Sequence, residues 1–158
     1  MIQLKIYGGF NSGLKVYSEN DVVLFSNVSK NWPESDFINI YNGKKTLITS
    51  IKHINRLFKN KFEIFSQTLD IKSINQSATK GYIELDNGDI IKFSYSATNF
   101  FTNPYLKIFC NGIEIGKLNN RKFGFSLNYK LLIRDDYTDF LYYILIYILA
   151  TESNKDYD

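Results

Sequence analysis

The residues able to do chemistry are few. There is one histidine, His53, and one cysteine, Cys110, in 158 residues. A zinc cluster, a disulfide framework or a Cys–His nucleophile pair has almost nothing to be built from. Cys110 alternates with Ile108 and Leu106, which reads as a small hydrophobe facing a core. The acids Asp135, Asp136 and Asp139 cluster, but their spacing is no calcium loop. Asp136 and Asp139 instead match the N-cap and N3 positions of a helix. Gly8-Gly9-Phe10-Asn11-Ser12-Gly13 follows an alternating segment and lacks the Gly-Lys-Ser/Thr of a phosphate loop, so it reads as a turn. No catalytic residue, metal ligand or cofactor is expected from these patterns.

One stretch carries charge with content. No acid occurs between Asp36 and Glu63, while Lys44, Lys45, Lys52, Arg56, Lys59 and Lys61 do. If this region forms adjacent strands, several cations would converge on a phosphate-bearing group, the chemistry of an anion site. A solvated lysine face is the plainer alternative. From Asp135 onward six acids face Lys155 alone, so the chain has a basic middle and an acidic end. Trp32, Phe100 and Phe101 fall in expected loops, where large aromatics would serve as anchors for a protein partner. The net charge of +3 is modest, and no nucleic-acid-reading motif is visible.

The elements that must position these groups read as strands. Aromatics make up 16% of the chain, and Asn, Ile and Lys supply a third of it, a bias that A- and T-rich codons account for. Alternating segments occur at 2–7, 13–18, 21–26, 36–41, 45–52, 61–66, 69–74, 80–86, 89–95, 104–110, 112–118, 121–127 and 129–134. Ile91, Phe93 and Tyr95, for example, share one face while Lys92 and Ser94 take the other. Asn42-Gly43, Asn87-Gly88 and Asn111-Gly112 are each suited to a type I′ hairpin turn. Residues 53–59 fit a short helix as well as a strand end. Such hairpins in succession predict an antiparallel sandwich or barrel.

Residues 140–150, Phe-Leu-Tyr-Tyr-Ile-Leu-Ile-Tyr-Ile-Leu-Ala, break the rhythm. They predict a helix over about 137–151 that is apolar all round. Eleven residues are short for a membrane span, so a helix buried on every side is expected, with hydroxyl partners needed for Tyr142, Tyr143 and Tyr147. With one Cys and no basic-then-apolar leader at Met1–Tyr7, the expected compartment is the cytoplasm, with a peripheral position at a membrane face open.

About a dozen strands followed by one apolar helix, here Tyr129–Ile133 through Asp139-Phe140 to Ala150-Thr151 and the hairpin run Leu106–Leu127 before it, resembles the superfamily of tubby C-terminal domains, LURP-one-related proteins and phospholipid scramblases. The resemblance implies an all-β domain over 1–152, a twelve-stranded antiparallel barrel enclosing the helix, with 153–158 a polar acidic tail. It favours the LURP-one or bacterial tubby-like form over scramblases, because no palmitoylation-type Cys cluster or Pro-rich N-terminal region is present. It implies a non-enzymatic module that docks anionic phospholipid headgroups or another phosphorylated ligand through basic residues. The alternative is a protein-interaction adaptor, for instance in a bacterial defence or stress system.

Overall fold

The computed structural model describes residues 1–9, 12–31, 35–56, 59–96, 104–120 and 126–154, with backbone alone at 55, 56 and 59. Within them run β1 (Ile2–Gly9), β2 (Gly13–Ser18), β3 (Asp21–Ser29), β4 (Asp36–Asn42), β5 (Leu47–Arg56) and β6 (Lys59–Gln67). These are followed by β7 (Ile71–Gln76), β8 (Lys80–Leu85), β9 (Ile90–Tyr95), β10 (Leu106–Cys110), β11 (Ile113–Asn120) and β12 (Ser126–Ile133). A 3₁₀ segment, Asp135–Phe140, leads into helix α1, Leu141–Glu152. All twelve strands form one antiparallel sheet in the order β6-β5-β4-β3-β2-β1-β12-β11-β10-β9-β8-β7. The sheet curls until β6 and β7 lie side by side, giving a nearly closed barrel around α1.

Alternation explains the closure. Each strand sends one set of side chains inward, and Ile6, Leu14, Val16, Leu24, Ile38, Ile51, Ile83, Ile91, Ile115 and Leu131 are fully buried. A helix with no polar face can be stable only where every side meets such residues. From Ile144 to Ala150 the helix is fully buried, whereas Tyr142, near the barrel's rim, is exposed. Among the described residues, no helix is long and apolar enough to cross a membrane.

The register defines two ends. At the entry end, where α1 begins, lie 19–20, 43–46, 68–70, 86–89 and 111–112. At the far end, where α1 finishes, lie 30–31 and 77–79. The seam between β6 and β7 is stitched by side chains. The Gln67 amide donates to the Ile71 carbonyl (2.9 Å) and accepts from the Ile71 N–H (3.0 Å), standing in for a neighbouring strand's backbone. Asn60 Nδ2 donates to Gln76 Oε1 (3.3 Å) at the other end of the seam.

Several local expectations need correction. No side-chain cap holds the helix start, and the 3₁₀ segment bends at Tyr137 (φ −119°, ψ 26°). Asp136 instead pairs with Arg134 (2.8 Å), and Asp135 receives the N-terminal amine of Met1. Residues 53–56 continue β5 as strand. Asn111 and Gly112 do take the two positive φ values of a type I′ turn (50° and 78°). At Asn87-Gly88 only Gly88 has positive φ (93°), so the loop is of the longer bulged kind. After Asn42-Gly43 it is Lys45 that turns left-handed (φ 66°), while Asn42 Oδ1 accepts the N–H groups of Lys44 and Thr46. β11 runs to Asn120 and β12 starts at Ser126, while 121–125, most of the expected strand 121–127, lie outside the described residues. Ser153 and Asn154 are buried, so the packed chain runs two residues past the expected boundary at 152.

Candidate functional site

The basic segment does not converge. Lys44 and Lys45 sit in the β4–β5 loop at the entry end. Arg56 and Lys59 are register partners at the opposite end of β5 and β6, their side chains outside the described set. Ten residues of β5 separate the two groups, about 30 Å of strand. Lys52 and Lys61 lie between, on the outer face, and both flank Glu63. Glu63 is the register partner of Lys52 and pairs with Lys61 at 3.0 Å. The hydrogen bond and charge of Lys61, with a smaller contribution from Lys52, hold the Glu63 carboxyl below its ordinary range. A carboxylate therefore occupies the place an anion would take. Trp32, Phe100 and Phe101 lie outside the described residues.

The barrel interior is taken up by side chains of its own. At the far end a polar cluster receives the end of α1. Buried Glu152 accepts from Tyr129 Oη (3.0 Å) and Tyr105 Oη (3.2 Å). The Tyr147 hydroxyl meets that of Tyr95 (2.9 Å), to which Gln76 donates (3.0 Å). Burial, with the nearby Glu152 carboxylate, pushes both phenols well above their ordinary value. Ser153 bonds Ser26 (2.6 Å). The side-chain amide of Asn154 donates to Asp36 (2.9 Å) and to His53 Nδ1 (2.9 Å). His53 Nε2 then donates to Asn60 Oδ1 (2.6 Å), and the ring stacks on Phe62 at 4.4 Å. This lone histidine thus has a structural role on both ring nitrogens. Cys110 is buried, and burial raises its thiol. Among the described residues no group of three or more His, Cys, Asp or Glu could hold a metal ion.

A groove does open on the outer face of β7–β10. It has a volume of about 500 Å³ and is lined by Asn75, Ser77, Lys80, Tyr82, Lys92, Ser94 and Phe109, with Gly81, Phe93 and Gly112 completing it. That volume is in the range of small-ligand sites, about 300–1,000 Å³. The register explains the convergence. Ser94 on β9 is directly opposite Lys80 on β8 and Lys107 on β10. Lys92 stands one outward step from Ser94 on the same strand, about 7 Å away. Ser94 thereby has lysines as its neighbours on both adjoining strands and along its own, and of these Lys80 and Lys92 share the groove with it. Lys117 on β11 is directly opposite Lys107, a like-charge pairing that disfavours the bare sheet. Glu114 relieves it by pairing with Lys107 at 3.4 Å. Among the described residues Lys80, Lys92 and Lys117 have no carboxylate partner, and none brings a carboxylate to the groove.

Nothing in the linear sequence groups these lysines, since each sits on a different strand. The available signal is weaker. In four successive strands one outward position alternating with the core set is a lysine, and two of the four intervening acids, Asp86 and Asp89, fall in a turn. Comparison with protein-family models, curated proteins and solved structures returns no match for this chain.

Proposed function

We propose that the protein is a non-enzymatic binding module that docks a phosphate-bearing ligand on the outer face of β7–β10. The observation carrying this reading is the placing of Lys80, Lys92 and Ser94 together in the lining of one groove, to which no described residue brings a carboxylate. Two ammonium groups and a hydroxyl donor supply charge-assisted hydrogen bonds to phosphate oxygens. The contacts are solvent-exposed, so affinity falls as salt screens them. Basic residues on a barrel surface are also what the resemblance to the tubby and LURP-one group implies, although the residues differ from the 44–61 set.

The test is an NMR titration of the full chain with sodium tripolyphosphate at low salt, beside co-sedimentation with neutral and anionic vesicles. Amide shifts confined to β7–β10 and their turns, lost in Lys80→Glu/Lys92→Glu and kept in Lys44→Glu/Lys45→Glu, support the site. Pelleting with anionic vesicles that depends on the same two lysines assigns the phosphate to a lipid headgroup. A folded protein that ignores both probes refutes the reading.

A second reading, a protein-interaction adaptor, has one observation of its own. Phe65 is 73% exposed and meets Phe37 edge-on at 5.7 Å on the outer face of β4–β6. A partner whose capture is lost in Phe65→Ser, and unaffected by Lys80→Glu/Lys92→Glu, would favour it.

A further inference from the structure

Anion binding alone leaves two groove residues without a purpose. Tyr82 and Phe109 are half-exposed on the outer face, and both are register partners of Lys92, one from each side. Neither ring joins an aromatic or cation–π contact among the described residues. Two strands apart, their roots are separated by about 10 Å. A flat ring held at contact distance on both faces needs about 7–8 Å between its neighbours. A lean of each ring toward β9 would supply that spacing, above the Lys92 position that lies between them in register. Ser94, in the groove with Lys80 and Lys92, lies one outward step along β9 from this slot, about 7 Å, a distance a ribose can bridge.

We propose, building on the anion reading, that the ligand is a nucleoside phosphate. Its base lies between Tyr82 and Phe109, and its phosphate group meets Ser94, Lys80 and Lys92. Stacking of bases on aromatic side chains tolerates any base, so the groove discriminates for a ring rather than for a sequence.

The experiment titrates the full chain with ATP, tripolyphosphate and adenosine by calorimetry, at low salt and without divalent metal. ATP is expected to bind at least about fivefold more tightly than tripolyphosphate. Tyr82→Leu/Phe109→Leu should erase that advantage while leaving tripolyphosphate affinity within about twofold. Lys80→Glu/Lys92→Glu should weaken both. If the double leucine variant does not fold, the single Phe109→Leu variant is expected to reduce the advantage. An ATP affinity no higher than that of tripolyphosphate, or an advantage that survives the leucine substitutions, overturns the nucleoside assignment. In that case lysine-dependent tripolyphosphate binding would still uphold the anion site. Absence of binding by both ATP and tripolyphosphate overturns the two readings together.

Discussion

Gly81 on β8 should be unable to accept even a methyl group. A Cβ there would overlap the Tyr147 hydroxyl, stand 2.7 Å from Tyr147 Cζ and 2.9 Å from the Asn75 carbonyl oxygen. Tyr147 cannot step aside. Its ring is fully buried, stacks on Phe93 at 3.6 Å and 5°, and its hydroxyl bonds Tyr95. Overpacking of this kind costs about 1–3 kcal/mol, and displacing the hydroxyl forfeits a hydrogen bond of about 1 kcal/mol. Gly81 has no positive φ, so Ala recovers about 0.5 kcal/mol through the unfolded chain. The expected net loss for Gly81→Ala is about 2–3 kcal/mol, or about 4–12 °C in Tm for a chain of this size. Tyr147→Phe alone should cost about 1 kcal/mol. Because it removes the overlapping atom, the double variant should lose less than the sum by about 1 kcal/mol or more, beyond the scatter of additivity. Urea unfolding of the four proteins measures this cycle. Strict additivity, or a Gly81→Ala protein as stable as the parent, would refute the packing argument.

Asp36 is pressed upward by burial, but bonds from Asn154, the Asn31 N–H and Lys30 outweigh this and hold it below its ordinary 3.8. Its bonds therefore stabilise the fold above that pH, and the contribution fades as pH falls through the lower folded value. Asp36→Asn should be less stable than the parent at pH 7, and the gap should close in urea titrations run below pH 3.8. Gln67→Ala removes both side-chain bonds to Ile71, and should cost about 1–3 kcal/mol and speed hydrogen exchange at the Ile71 amide. An unchanged Ile71 exchange rate would show that the seam is held otherwise. Tyr129→Phe withdraws one donor from Glu152 and should cost about 1–2 kcal/mol in the same unfolding assay. Cys110, buried and with its thiol raised, should resist maleimide labelling until the protein is unfolded.

The barrel and its filling were readable because both follow from pattern. Alternation at Ile91–Phe93–Tyr95 states which side is wet, and a helix such as 144–150 has no stable place except inside. Register is not a property of any single strand, and the site depends on it. Residues 44–61 are neighbours in sequence, yet β5 carries their charges to opposite ends and Glu63 intervenes from β6. Lys80, Lys92 and Lys107 are distant in sequence, and two ladders bring them around Ser94. The helix cap failed for a related reason. Asp135 and Asp136 found partners in Met1 and Arg134, and the chain used a 3₁₀ segment to turn into the barrel.

The strand order makes the molecule a split ring built from two half-shells, β1–β6 and β7–β12. Their one continuous backbone ladder is β1 with β12, where Ile2 meets Ile133. The half-shells are also joined covalently, by 68–70, but only at the entry end of the split. At the far end the lips are held by Asn60 and Gln76. The covalent tether holds one lip of the split, so the free lip, beside the polar cluster around Glu152 and Asn154, is the one expected to part first on heating. Water would then enter where hydroxyls and amides can receive it.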